Sequence, residues 1–262
     1  MVTVSTDQDY QLFITNLKKR TGIDLSLYKE AQMKRRLTSL REKRGFSNFQ
    51  DYFNSLWIDE ALYAEFLDKM TINVSEFFRN SSRWQVLIDK VIPMINKDKK
   101  IKAWSAACST GEEPYTLSMV LKHYFPGTIT DILATDIDEN AIKKAKTAVY
   151  SERALKEVPE AILKKYFKYE NNLYTVVNEI IKDIRYKKQD LLKDEFETNF
   201  DLIICRNVII YFTDEAKHRL YTKFSQSLKV GGVLFVGSTE QIFNPAQYNL
   251  ETIDNFLYRK KG

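Results

Sequence analysis

Glycine, cysteine and histidine are scarce in this chain, and each shortage closes off a kind of chemistry. Eight glycines in 262 residues is about half the usual share of roughly 7%. They form neither a G-x-G-x-x-G run nor a Walker loop, so no glycine-rich phosphate cradle is expected. Two cysteines, Cys108 and Cys205, supply neither a disulfide framework nor a cysteine-rich zinc site. Two histidines, His123 and His218, leave metal hydrolysis and Ser-His-Asp catalysis without their usual parts, and no metal site is expected. No stretch approaches the roughly 18 apolar residues of a membrane span. Residues 1–20 lack the apolar core of a secretion signal. A reducing cytoplasm is the expected location.

The length suits two domains. Residues 7–70 contain no proline and only Gly22 and Gly45, both where helices should stop. Tyr10, Phe13, Ile14 and Leu17 recur with helical period, as do Met33, Leu37 and Leu40, then Phe49, Tyr52, Phe53 and Leu56, then Leu62, Phe66 and Leu67. This reads as a unit of about four short helices. From Ile101 the texture changes to short apolar strands alternating with helices. Strands are expected at Ile101–Ala106, Ile129–Thr135, Ile184–Lys188, Leu202–Cys205 and Val233–Val236, and helices at Pro114–Tyr124, Glu139–Tyr150 and Thr213–Leu228. Phe256–Arg259 reads as a final strand. That rhythm predicts a mostly parallel sheet with helices on both faces. Residues 166–181, rich in β-formers and turning at Asn171-Asn172, read as a small antiparallel insertion.

In such a sheet the ligand lies beyond the carboxyl ends of the strands. The first of those loops reads S-A-A-C-S-T-G-E-E-P from Ser105 to Pro114. Its small residues allow close approach, and Glu112 and Glu113 would repel a phosphate but attract a cation. An ordinary strand-to-helix turn has the same look. Asp136 ends the second strand, where a carboxylate can accept ribose hydroxyls, and Asp138 suits a helix cap. After the third strand, Asp190 can accept from an adenine amino group and Leu191 can pack on the ring. After the fourth come Arg206 and Asn207. At the junction of the two units, Asn73, Ser75 and Arg79 can close the crevice while Phe77 and Phe78 pack as core.

Each of these stretches has an ordinary structural explanation, but their order and combination resemble one family. The T-x-N-x-[ST]-x-F-F-R, S-A-A-x-S-x-G-E-E-P-Y, D-I-D and C-R-N-V-x-I-Y-F motifs are similar to those of chemotaxis receptor methyltransferases of the CheR type. The resemblance runs from about Thr21 to the C-terminus. It implies a small N-terminal helical domain (1–70), a linker contributing to the cofactor site (71–92), and a Rossmann-like class I methyltransferase domain (93–262) carrying the β insertion. It implies transfer of a methyl group from S-adenosylmethionine to receptor glutamates, with S-adenosylhomocysteine as product. The cofactor would be held by Asn73, Ser75, Arg79, Glu113, Asp136, Asp190, Leu191, Arg206 and Asn207, with Arg79 and Tyr211 nearest the transferring methyl. In some members the insertion docks a receptor tail peptide through a glycine-containing loop; residues 166–181 here contain no glycine.

Charge is uneven. Residues 18–44 hold ten basic side chains against three acidic ones, a surplus larger than the net +5 of the whole chain. A nucleic-acid methyltransferase would use such a helix on a phosphate backbone, but no [DN]-P-P-[YF] motif accompanies it. A non-catalytic S-adenosylmethionine sensor would not require Arg79, Arg206, Asn207 and Tyr211 together. The expected partner is therefore the glutamate-rich cytoplasmic helices of a chemoreceptor, docked on Lys34, Arg35, Arg36, Arg41 and Lys43. Neither nucleic acid nor membrane insertion is expected, and the enzyme is expected to be a monomer.

Overall fold

The computed structural model describes residues 6–71, 73 and 75–262. Two compact units emerge from its contacts: Met1–Asn73 with Tyr211–His218, and Val74–Ile210 with Arg219–Gly262. In the first, α1 (Thr6–Thr21), α2 (Glu30–Lys43), α3 (Phe49–Ser55) and α4 (Glu60–Thr71) turn their periodic apolar residues inward. Tyr10, Phe13, Leu37, Phe49, Tyr52 and Phe66 are all almost fully buried. The Phe13 ring meets Phe49 at 5.1 Å and Phe66 at 6.1 Å between centroids. Gly22 ends α1 in the left-handed region at φ +80°, and its N–H donates to Lys18 O at 2.9 Å.

A late segment of chain completes this unit. Lys29 N donates to Tyr211 O at 2.8 Å and Thr213 N to Leu27 O at 2.9 Å. Tyr28 and Phe212 meet edge to face. Residues 211–218 thus cluster with the helices although the sequence places them within the α/β stretch.

The second unit begins with α5 (Ser81–Val86), a π-helical turn (Leu87–Val91) and α6 (Ile92–Ile95). Pro93, which has no N–H, sits where the regular ladder is interrupted. Trp84, Leu87, Val91 and Ile92 are buried in the core of the sheet unit, so the stretch read as a linker supplies core residues. There follow β1 (Lys100–Ala106), α7 (Glu112–Tyr124), β2 (Ile129–Asp136), α8 (Glu139–Thr147), β3 (Val149–Tyr150), α9 (Glu160–Tyr166), β4 (Phe167–Glu170), β5 (Leu173–Val176), α10 (Asn178–Ile181), β6 (Ile184–Lys188), β7 (Phe200–Cys205), α11 (Asp214–Ser227, begun in the first unit), β8 (Leu228–Val236), β9 (Leu250–Asp254) and β10 (Leu257–Lys260). The large sheet runs β6-β2-β1-β7-β8-β10-β9. It is parallel from β6 to β8 and antiparallel at β10 and β9. The strand order reverses beside β1, which opens a crevice between the loops after β1 and β7.

One expectation needs revision, and the final strand, present as expected, gains a partner. The helix starting at Glu139 stops at Thr147, because Ala148 turns left-handed at φ +55° and Val149–Tyr150 pair with β5 instead. A β-branched and an aromatic residue with a strand to join prefer the ladder. The C-terminal strand is the second arm of a hairpin with β9. In the small sheet, ordered β3-β5-β4, Asn171 and Asn172 both take positive φ, so asparagine does in this turn what glycine commonly does. No helix among the described residues is long and apolar enough to cross a membrane.

The expected docking face on α2 is corrected at Arg41. This residue is 6% exposed, because it follows Leu37 by four positions and shares its stripe. Its guanidinium lies 4.7 Å over the Phe49 ring and 3.9 Å from Asp9. Arg36 donates to Met70 O at 3.0 Å, where α4 ends, and covers the Tyr211 ring at 5.1 Å. Lys34 pairs with Asp7. Arg35 and Lys43 are exposed. Arg41→Ala should therefore destabilise the protein by about 3 kcal/mol or more, since it strips a buried cation from Asp9 and a ring. Arg35→Ala should stay within about 0.5 kcal/mol. Urea unfolding of the two variants checks this.

Candidate active site

The loop after β1 folds back on the end of β2. Ala107 and Ser109 take φ of +62° and +48°, and Gly111 takes +94°. A Cβ at Gly111 would lie 2.8 Å from that of Ala145 and 3.0 Å from Tyr186 Oη, so only glycine fits. This shape directs two N–H groups at β2: Cys108 N donates to Thr135 O at 2.9 Å, and Ser109 N to Asp136 Oδ2 at 2.8 Å. Asp138 N donates to Asp136 Oδ1 at 2.9 Å. Asp136 is 5% exposed, and burial pushes its carboxyl up to about 6, with the backbone donors pulling the other way. Asp138 caps α8 by accepting from Asn140 N. The helix-cap reading of Asp138 holds, and Asp136 stands at the end of β2 with both oxygens accepting backbone N–H groups.

The adjacent glutamates diverge. Glu112 turns inward to 4% exposure; Thr110 Oγ1 reaches both its oxygens, and the Ser75 hydroxyl bonds to it as well. Glu113 accepts from Ser105 Oγ at 2.7 Å and faces Arg206 Nη1 at 3.7 Å. Burial raises its carboxyl, while Arg206, Ser105 and Arg79 lower it.

Arg206 joins this loop to the segment after Phe78. Its Nη2 donates to Arg79 O at 2.8 Å and to Asn80 Oδ1 at 2.9 Å. The guanidinium stacks 4.9 Å from the Phe235 ring, and its Nε is buried without a protein acceptor. Phe77 and Phe78 are core, as expected. Phe78 takes φ +53° while its N–H donates to Thr116 Oγ1 at 3.2 Å. Asp190 closes its own turn by accepting from Leu192 N at 2.8 Å, and Leu191 is buried beside it.

Ser75, Arg79, Glu113, Asp136, Asp190, Leu191, Arg206 and Asn207 thus all belong to the sheet unit. Asn73 and Tyr211 belong to the helical unit, where Asn73 Nδ2 donates to Asp68 at 3.3 Å. The sequence reading missed Glu240, which is 4% exposed on the loop after β8 and accepts from Asn207 N at 2.8 Å. The rule that ligand loops follow strand ends, applied to Gly237–Glu240 as well, would have found it.

Carboxylate acceptors beside two guanidiniums, with no phosphate cradle, suit S-adenosylmethionine: a ribose diol and an ammonium to donate, a carboxylate to accept, and a positive sulfonium. Asp136 would take the diol, Glu113 the cationic end, and Arg79 a carboxylate.

Residues 8–71 match the family "CheR methyltransferase, all-alpha domain", and residues 73–256 match "CheR methyltransferase, SAM binding domain". A chemotaxis protein methyltransferase of Listeria innocua is 46% identical over 97% of this chain and 98% of its own length. That of Listeria monocytogenes is 45% identical over the same shares. One from Borreliella burgdorferi is 36% identical over 91% of this chain and 89% of its own.

A pH dependence follows from Asp136. A protonated carboxyl loses both its attraction for a cationic ligand and part of its accepting capacity. Affinity for S-adenosylmethionine should therefore weaken as pH falls through about 6 and level off above about 7. Asp136→Asn must aim an NH2 at one of two backbone N–H groups. It should bind at least about tenfold more weakly and lose the step near pH 6. Calorimetric titration from pH 5 to 8 measures both.

Proposed function

Because the chain belongs to the CheR methyltransferase family, we propose that it transfers the methyl group of S-adenosylmethionine to glutamate side chains of chemoreceptors and leaves methyl esters. It is a methyltransferase of chemotaxis with S-adenosylmethionine as its cofactor. The similarity to chemotaxis protein methyltransferases over nearly the whole chain carries the finer reading.

Bound S-adenosylmethionine supplies an electrophilic methyl on a sulfonium. A glutamate carboxylate, with an ordinary pKa of about 4.3, is already ionised at neutral pH and needs no general base. That matches a site lined by carboxylates and arginines, in which burial and the neighbouring Asp136 push the Cys108 thiol up. His123 packs against the rings of Tyr124 and Tyr166 near the end of α7 and has no part in it. The work left to the protein is orientation and exclusion of water. Arg79, whose guanidinium presents a planar fork of N–H donors, orients a carboxylate. Asp136 and Glu113 hold donors and positive charge. The partner is a receptor's cytoplasmic helices, which places the reaction in the cytoplasm. Arg35 and Lys43 are the exposed cations of α2 that would steer an acidic helix.

Incubation with a chemoreceptor and methyl-labelled cofactor should place label on the receptor in a form released by alkali. Alkali-stable label, or none, rejects the ester reading. Arg79→Ala should lower kcat by about a hundredfold or more. Arg35→Glu with Lys43→Glu should raise KM for the receptor and leave cofactor affinity unchanged; an unchanged KM removes α2 from the docking surface.

A further inference from the structure

We propose that Glu240 is a positioning residue for the cofactor: it gathers the backbone N–H groups of the turn after β7 and so fixes Arg206 and Asn207 before anything binds. Glu240 Oε2 accepts from Asn207 N at 2.8 Å and from Gly237 N at 2.6 Å, and Oε1 accepts from Ile210 N at 3.2 Å. The turn it holds lies outside the ladder of β7, and Asn207 stands at φ +63°. Without an acceptor there, the buried Gly237 N–H and the partly buried N–H groups of Asn207 and Ile210 lose their partner, which backbone structure rarely tolerates.

Two features show that the arrangement is built around an acceptor that cannot donate. A Cβ at Gly237 would collide with Glu240 Oε2 and lie 2.9 Å from Asn207 N, so the approach requires glycine at this point. The donors also converge on both oxygens. A carboxamide of the same size would turn its NH2 toward one set of them. Glu240 Oε2 therefore joins the turn after β7 to the loop after β8, across the end of the sheet. On the other side of that turn, Arg206 reaches Arg79 O, Asn80 and Glu113. Displacing the turn would move Arg206 away from both of the segments it connects.

This inference rests on the cofactor and is independent of the methyl acceptor. The test uses the full chain and calorimetric titration with S-adenosylhomocysteine, well below the unfolding temperature. Glu240→Gln should weaken binding at least tenfold, and Glu240→Asp, one methylene shorter, should not restore it. Ile180→Ala, a fully buried core residue on α10, should lower the melting temperature and keep Kd within twofold. If Glu240→Gln melts lower but keeps Kd within twofold, Glu240 is merely structural and the proposal falls. Hydrogen exchange on the unaltered protein without ligand gives a second reading that needs no variant. The amides of Asn207, Gly237 and Ile210 should already be protected, and fast exchange that slows only on binding would overturn pre-formation.

Discussion

Carboxylates buried at the carboxyl ends of the parallel strands impose the constraint on which the site depends. Taking a carboxylate out of water costs several kcal/mol unless donors replace the lost solvent. Glu112, Asp136 and Glu240 are each no more than 5% exposed, and the surrounding loops are shaped to supply those donors. The loop after β1 takes positive φ at Ala107, Ser109 and Gly111, and Ser109 N meets Asp136. Thr110 and Ser75 serve Glu112. The turns after β7 and β8 converge on Glu240. The scarcity of glycine takes on meaning here, since a side chain at Gly237 would collide with this network and one at Gly111 with Ala145 and the Tyr186 hydroxyl.

The helical unit follows a different economy. Its basic surplus looks like one open face in sequence, yet the arginines have separate duties. Arg41 supports a ring and Asp9 inside the core, and Arg36 finishes α4 and covers Tyr211. Only part of the positive charge remains at the surface to act on a partner over a distance.

Much of the site was legible because its signals are local. Asp138 precedes a helix, so its capping duty could be read from its position, and Asp136 could be placed at a strand end. Glu112 and Glu113 show the limit. Adjacent residues on a helix face different directions, and which one turns inward depended on Thr110 and Ser75. Arg41 lay at the edge of an apolar stripe, where a long cation can reach water or a ring; Phe49, from the next helix, decided. Val149 and Tyr150 extended a helical pattern until β5 offered a ladder.

The sequence alone determined the alternation of helices and strands, the two-unit division and the family, because periodicity and motif spacing are properties of neighbouring residues. Tertiary structure alone decided which acid meets which donor. Glu240 lies 33 positions from Asn207, and although its place after a strand end is a local signal, nothing local names the turn it serves. Its importance arises because the sheet brings the ends of β7 and β8 side by side, where a buried acceptor must find the N–H groups of a turn far away in the chain.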